Sequence, residues 1–476
     1  MKTLDLEVLS SFPRINESRI DKLLQNELLK NPCKLIILDD DPTGVQTVHN
    51  ISVYTDWSIE TVRQGFHETN RLFYILTNSR SMTTEETTVV HREIAAIIAS
   101  VSQETGKPYL IISRSDSTLR GHYPLETQIL KESIEKSGSL IDGEILCPFF
   151  KEGGRFTINN IHYVKQEGRL TPAALTEFAQ DKTFGYSHSS IPDYIEEKTK
   201  GKFKAGSTVC ISLDELRSID IDSIEKKLNN TENFNKICVN GIDYCDIKVF
   251  AVALYRSIAK GKKFLFRTAA GFVKVMGGVS DIPLLTARDI LPERNYNGGM
   301  IIVGSHTLKT TDQLNKLLQL DYTVPIEFHS ENVLNGDIAF YTEVNRCVTD
   351  AENIIRSGKT AVCFTQRTLL TFENDTRQSA LLRSVKISDG VQNLVARLKI
   401  RPSYIIAKGG ITSSDIGTKA LAVKRALVMG QIRPGIPVWR TGPESRFPYL
   451  PYIIFPGNTG DTDTLKDIAE ELSNSF

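Results

Sequence analysis

The sequence predicts an α/β protein of two domains, each a largely parallel β-sheet flanked by helices, with the active site in the interdomain cleft. Three observations lead there. Short apolar runs of strand length alternate with longer amphipathic stretches along nearly the whole chain, the rhythm of βαβ units. At 476 residues the chain exceeds what one hydrophobic core ordinarily organises. Between residues 276 and 299 the alternation lapses into MGGVSDIPLLTARDILPERNYNGG, rich in Gly, Pro, Asn and charge, which marks a boundary. The predicted domains are residues 1–285 and 286–476.

In the first span the apolar runs predict strands at 34–38, 51–54, 72–77, 109–113 and 144–147, then at 208–212, 236–240 and 264–267. Helices fill 84–101 and 123–137, the latter carrying apolar Leu125, Ile129 and Ile134. Beyond the boundary the rhythm resumes with a strand at 300–303 and a helix from about Leu308. Next come a strand at 360–365, a helix over 377–398 and a strand at 403–407.

Composition narrows the function. With 40% hydrophobic and 24% charged residues both domains can bury cores. Lys plus Arg equals Asp plus Glu at 57 each, so the overall balance gives no reason for a nucleic-acid or membrane partner. The seven cysteines are scattered without a C-x-x-C pair, which indicates neither a disulfide framework nor a structural zinc site. No stretch approaches the length of a membrane span. The expectation is a soluble, cytoplasmic protein acting on small molecules, with a homodimer left open.

In open parallel sheets ligands bind at the carboxyl ends of strands, so the residues after each strand carry the chemistry. After the first comes Asp39-Asp40-Asp41-Pro42-Thr43-Gly44; three adjacent carboxylates repel, and a solvated turn would relieve them as well as a ligand would. After 109–113 comes Arg114-Ser115-Asp116-Ser117-Thr118-Leu119-Arg120-Gly121-His122, and 72–77 runs into Asn78-Ser79-Arg80. Capping explains one hydroxyl but leaves the Arg and Asp residues over; together they suit a small polyhydroxy acid. In the second span strands run instead into Gly304-Ser305-His306-Thr307, Gly409-Gly410-Ile411-Thr412 and Pro456-Gly457-Asn458-Thr459-Gly460 before helices. Glycine lets phosphate approach backbone N–H groups at a helix start. Three such loops point to a nucleotide-phosphate cradle, although no Walker A, G-x-G-x-x-G, H-E-x-x-H or G-x-S-x-G motif is present.

Asp40-Asp41-Pro42-Thr43-Gly44, Asp116-Ser117-Thr118-Leu119-Arg120-Gly121, Gly153-Gly154-Arg155-Phe156-Thr157, Gly304-Ser305, Gly409-Gly410-Ile411-Thr412 and Pro456-Gly457-Asn458-Thr459-Gly460 occur in one order. That order resembles the four-carbon acid sugar kinase family over nearly the whole chain. Asp39 is an acid extra to the family's pair, Pro42 replaces an apolar residue, and Ile411 stands where the family carries Glu. The resemblance implies an ATP- and Mg²⁺-dependent phosphotransferase acting on the terminal hydroxyl of threonate, erythronate or 3-oxo-tetronate. It makes Asp40, Asp41 and Asp116 the candidates for holding substrate hydroxyls and taking the proton. Thr43, Arg80, Arg114, Ser117, Thr118, Arg120, Gly121 and Arg155 would bind the acid. Ser305, Thr307, Gly409, Gly410, Ile411, Thr412, Gly457, Asn458 and Gly460 would seat ATP, with Asp461 and Asp463 for Mg²⁺. Two other readings compete: a sugar-acid-binding regulatory protein without turnover, and a metal-assisted aldolase or dehydratase, which gives the glycine loops no task. Asp39 is expected in a cap or salt bridge outside the pocket.

Overall fold

The computed structural model of the protein describes residues 2–292, 296–304, 307–367, 370, 377–457 and 459–473. The chain forms two compact units: residues up to Thr47 with Asp56–Asp281, and Val48–Thr55 with the chain from Ile282 on.

In the first unit, seven parallel strands lie in the order Val209–Ile211, Asn235–Val239, Gly143–Cys147, Phe264–Thr268, Tyr109–Arg114, Lys34–Asp39, Leu72–Leu76. All six residues of Lys34–Asp39 are buried, as expected of a strand covered on both faces, which reads as an unbroken apolar run. The chain places Leu72–Leu76 on one side of this strand and Tyr109–Arg114 on the other, so the strand order reverses at its carboxyl end. Such reversal points are where open α/β sheets bind ligands.

Two groups of helices flank the sheet, one built around Tyr244–Ala259 and the other around Thr84–Thr105. Val249, Phe250, Ala251, Val252, Ala253 and Leu254 are fully buried; a helix apolar all round needs cover on every side, here from the sheet, Glu17–Lys30 and Ile221–Asn229. Thr84–Thr105 begins at a capping box, Thr83 Oγ1 accepting from Glu86 N–H at 3.2 Å and Glu86 Oε2 from Thr83 N–H at 2.8 Å. It stops at Gly106, whose φ of 65° closes the last turn.

A separate antiparallel sheet, Leu4–Asp5, Arg169–Pro172, Ile161–Gln166 and Arg155–Ile158, lies in this unit. Sequence rhythm does not announce it, because its strands are short and its tight turn, Asn159-Asn160 with φ 50° and 65°, lacks the Gly that signals such hairpins.

The second unit's sheet runs Ile51–Tyr54, Arg425–Arg433, Ile436–Thr441, Pro451–Phe455, Ile405–Lys408, Met300–Val303, Thr360–Thr365, Thr323–Phe328. The first three pairings are antiparallel and the rest parallel. Ile51–Tyr54 departs from the predicted division: it falls within the first span but pairs with Arg425–Arg433, Ser52 opposite Leu427. An apolar run specifies a strand and not the sheet it joins. Here too the order reverses, between Met300–Val303 and Ile405–Lys408. Among the described residues no helix is long and apolar enough to cross a membrane.

Candidate functional site

In the first unit, backbone hydrogen bonds knit three strand ends into one surface. Thr77 N–H donates to Asp39 O at 2.9 Å, Arg80 N–H to Asp40 O at 3.3 Å, and Asp40 N–H to Arg114 O at 3.3 Å. The three predicted strand-end segments, after residues 39, 76 and 114, are therefore brought together.

Their side chains form two tiers. In the lower one, Arg114 Nη1 donates to Asp39 Oδ1 at 2.9 Å and to Asp40 Oδ1 at 3.3 Å. Asp39 thus makes the expected salt bridge, but on the guanidinium that also serves Asp40 rather than outside the cluster. Arg114 is itself buried and occupied. Burial outweighs the pull of Arg114 and, helped by repulsion from Asp40, pushes the Asp39 carboxyl up to about 7. Burial also raises Asp40 against the attraction of Arg80 and Arg114, with Glu126 adding to the rise. Among the described residues nothing hydrogen-bonds to the buried Asp40 Oδ2.

The upper tier is more open. Arg80 pairs through Nη2 with Asp41 Oδ2 and lies 3.5 Å from Asp116 Oδ1 through Nη1. Asp41 Oδ1 accepts from Thr43 N–H at 2.7 Å, capping the turn Pro42–Val45. Asp116 Oδ2 accepts from Arg120 Nε at 2.7 Å and from Thr118 Oγ1. Burial opposes ionisation of Asp116, but Arg120 and Arg80 overcome it and hold the carboxyl well below the usual range. Arg80 and Arg120 keep 21% and 25% of their side chains exposed, so a ligand can reach their guanidinium groups.

The Asp116–Gly121 loop is held from outside by groups that sequence reading missed. His162 Nε2 bonds Ser117 O at 2.7 Å, and burial lowers this imidazole to about 4, leaving it neutral. The Tyr186 and Tyr194 hydroxyls donate to Thr118 O at 2.7 Å and Leu119 O at 2.8 Å. Leu119 adopts φ 69°, uncommon for a bulky residue and found where surroundings over-determine the backbone. Arg155 stacks 5.5 Å from the Phe178 ring, which Arg120 also meets at 5.0 Å. Glu126, buried at the start of Leu125–Glu135, accepts from Ser79 Oγ at 2.6 Å. His122 Nε2 bonds Met82 O at 3.0 Å, an ordinary hydrogen-bonding role.

Two glycines shape the cluster. A Cβ on Gly44 would sit 2.1 Å from both carboxylate oxygens of Asp39. Gly44→Ala should lower stability by about 2–4 kcal/mol through this overlap, read as an earlier urea midpoint at unchanged slope. Gly121 has φ 116°, and a Cβ there would stand 3.4 Å from Asp40 Oδ2. Arg267 Nη2 stands at the same distance from that position, so the glycine lies between this guanidinium and the aspartate oxygen.

In the second unit the glycine loops come after adjacent parallel strands, Pro451–Phe455, Ile405–Lys408 and Met300–Val303, and so gather at the second reversal point. Gly304 abuts Thr412: a Cβ on the glycine would fall 2.2 Å from Thr412 Oγ1. Gly409 N–H donates to Phe455 O at 2.9 Å. Thr307 caps Leu308–Leu317 by accepting from Thr310 N–H at 3.3 Å, while Gly410 and Ile411 open the helix Gly410–Asp415. Gln313 Nε2 donates to Asp461 O at 2.6 Å and Thr459 O at 3.2 Å, tying down the last loop. Ser305 and Asn458, also expected to hold nucleotide, lie outside the described residues.

Lys408 was not foreseen. It ends its strand fully buried, donating from Nζ to Pro456 O at 2.9 Å and Gly457 O at 3.1 Å. Burial, reinforced by Lys309, lowers it to about 7. Its signal in the sequence is a lysine closing an apolar strand immediately before two glycines.

The proposed Mg²⁺ pair is unequal. Asp461 Oδ1 accepts from Thr464 N–H at 3.0 Å, Asp463 N–H at 3.2 Å and Thr464 Oγ1 at 2.6 Å, a helix cap. Asp463 is half-exposed, 4.0 Å from Lys316. Among the described residues no group of three or more His, Cys, Asp or Glu side chains gathers to hold a metal.

Comparison with known proteins agrees with this division of labour. Residues 35–276 match the profile of a sugar-binding N-terminal domain, and residues 300–465 that of a nucleotide-binding C-terminal domain. A Salmonella typhimurium LT2 protein designated a tRNA synthase shares the fold with TM-score 0.64 at 14% identity, over 92% of this chain and 98% of that one. Haemophilus influenzae protein HI1011, of the family called DUF1537, does so with TM-score 0.59 at 16% identity, over 91% and 99%. No curated protein matches the chain. With the sugar-binding profile covering half of its length and the nucleotide-binding profile most of the remainder, the chain belongs to the four-carbon acid sugar kinase family.

Proposed function

We propose that the protein is an ATP-dependent kinase that transfers the γ-phosphoryl group to the terminal, 4-hydroxyl of a four-carbon sugar acid such as threonate, erythronate or 3-oxo-tetronate. The observation that carries this reading is Asp40 Oδ2, a buried carboxylate oxygen to which nothing hydrogen-bonds among the described residues, at the reversal point of the sugar-binding domain. A substrate hydroxyl donating to it supplies the missing bond.

In this scheme Arg80 and Arg120 grip the acid's carboxylate, replacing part of their pairing with Asp41 and Asp116. Asp41, Asp116 and Thr118 receive or donate hydrogen bonds along the hydroxyls. Thr43, Ser117 and Arg155 act through the loops, and Arg114 anchors the aspartates beneath. Asp40, raised above an ordinary carboxylate, orients the terminal hydroxyl and takes its proton as the oxygen bonds to phosphorus. The Gly409–Thr412 and 456–460 loops seat the phosphates at helix starts. Mg²⁺ would arrive on the nucleotide and neutralise phosphate charge; Asp463 is the carboxylate open to a water of its shell.

The test is ADP release from Mg-ATP by the purified protein across a panel of four-carbon acids. Release that depends on one of them supports the kinase. ATP-independent acid binding with no ADP from any acid would leave a binding protein in its place.

Lys408 adds a pH signature. Bound phosphate stabilises its ammonium form, so the lysine's pKa is higher in the complex than the value of about 7 without nucleotide. Binding is then strongest where lysine is already protonated and weakens as pH rises through 7. ATP affinity measured by calorimetry should fall between pH 6 and pH 8 by up to about tenfold, the limit set by deprotonating one group whose free pKa is about 7, and Lys408→Met should flatten that slope.

A further inference from the structure

Within the sugar-binding domain, a cavity of about 460 Å³ is lined by residues that play no part in the kinase scheme. Its floor is Lys236, the second residue of Asn235–Val239, opposite Glu144, the second residue of Gly143–Cys147.

The cavity gathers five lysines, Lys131, Lys198, Lys200, Lys202 and Lys236, against one carboxylate, Glu132. Lys236 is buried, 2.6 Å from Glu144, with its ammonium 3.5 Å from the centre of the Phe234 ring and 4.1 Å from that of Phe203. Lys131 pairs with Glu135. Among the described residues no carboxylate lies within 4.0 Å of the ammonium groups of Lys198, Lys200 or Lys202; Lys198 donates to Gly185 O at 3.1 Å. Glu135 and Glu144 pair with Lys131 and Lys236, and Glu197 and Asp181 act on Lys198 from farther off, while the lining itself holds five lysines and one carboxylate. Burial, and repulsion from Lys202 and Lys131, lower the Lys236 ammonium, so the concavity favours an anion that relieves the crowding. Asn233 and Phe234 both adopt φ 59°, a backbone uncommon for phenylalanine, and this turn puts the Phe234 ring over Lys236.

We propose that this cavity binds a small organic phosphate monoester, its phosphate among Lys198, Lys200 and Lys202 and its apolar body against Phe203 and Phe234. The excess of ammonium groups over carboxylates in the lining suits a phosphate dianion. Compact ammonium groups suit a tetrahedral phosphate, whereas a planar carboxylate is better met by the guanidinium fork, and no arginine lines the cavity. The site is independent of the kinase reading, because it uses none of the residues placed there.

The probe is phenyl phosphate, titrated calorimetrically into the full-length protein with and without saturating Mg-ATP. The expected result is one-site binding that persists with ATP, weakens with added salt, and loses roughly tenfold or more in affinity in Lys198→Gln/Lys202→Gln. Lys200→Glu, a single exposed substitution, should weaken it similarly, and thermal midpoints near that of the parent establish that both variants fold. Absence of binding at millimolar phenyl phosphate, unchanged affinity in both variants, or displacement by ATP overturns the proposal. Phthalate binding as tightly as phenyl phosphate overturns the phosphate assignment.

Discussion

Asp40→Asn is expected to lower kcat roughly 10²–10⁴-fold, the usual contribution of a positioned general base, while ATP affinity stays near that of the parent. Asparagine keeps the shape and can still accept from Arg114, so what is removed is the capacity of Oδ2 to take a proton. The neighbouring acids provide the contrast. Asp39 faces Arg114 and the bare flank of Gly44, and Asp39→Asn should retain most activity. Asp41 and Asp116 have their oxygens engaged by Arg80, Thr43 N–H, Arg120 and Thr118, so their amides should raise KM for the acid more than they lower kcat. The pH profile gives a second handle. A base must be ionised, and burial raises Asp40, so the acid limb of kcat/KM should lie above the ordinary carboxylate pKa of about 4 and disappear as a limb in Asp40→Asn. Equal loss in Asp39→Asn and Asp40→Asn would remove the distinction between the two.

The second large effect is on stability. Arg114→Met removes the guanidinium hydrogen-bonded to both buried carboxylates and should cost about 3–5 kcal/mol, the penalty of leaving buried charge poorly compensated, seen as a fall in the urea midpoint at neutral pH. The sign of the pH dependence comes from Asp39. Its folded pKa of about 7 lies above its unfolded value, so its contribution is fully present below the unfolded pKa of about 4 and is lost as pH rises through 7. Arg114→Met should therefore be harmed least in mild acid, where both carboxyls can hold protons. Asp39→Asn with Arg114 intact should stabilise the protein more at pH 8 than at pH 5. A variant Arg114→Met equally unstable at both pH values would mean that lost packing, not charge, sets the effect.

Much of this was legible in the chain because α/β sheets put chemistry at predictable places. Strands covered on both faces read as plain apolar runs, as at Lys34–Asp39 and Met300–Val303, and the loops at their carboxyl ends are the segments that meet a ligand. That logic located the aspartates, the Asp116–Gly121 loop and the glycine loops. It could not rank Asp39, Asp40 and Asp41, because the ranking depends on which oxygen Arg114, Arg80 or Thr43 N–H occupies, and those partners come from other strands or from the turn itself. His162, Tyr186 and Tyr194 were invisible for the same reason: they act across the fold on backbone carbonyls of a loop more than forty residues away. Lys408 was overlooked because an apolar strand ending in lysine resembles a solvated terminus, whereas here it is buried against Phe455 and bonded to two carbonyls of the 456–457 loop. The Ile51–Tyr54 strand shows the remaining gap, since pairing partners distant in sequence leave no local trace.

The most direct measurement is the position of the new phosphate. After incubation with Mg-ATP and the acid that releases ADP, two-dimensional ³¹P–¹H correlation of the product should show phosphorus coupled to the terminal methylene protons of the four-carbon acid. Phosphorus coupled to an inner carbon's proton, or inorganic phosphate with the acid unchanged, would contradict phosphoryl transfer to the 4-hydroxyl.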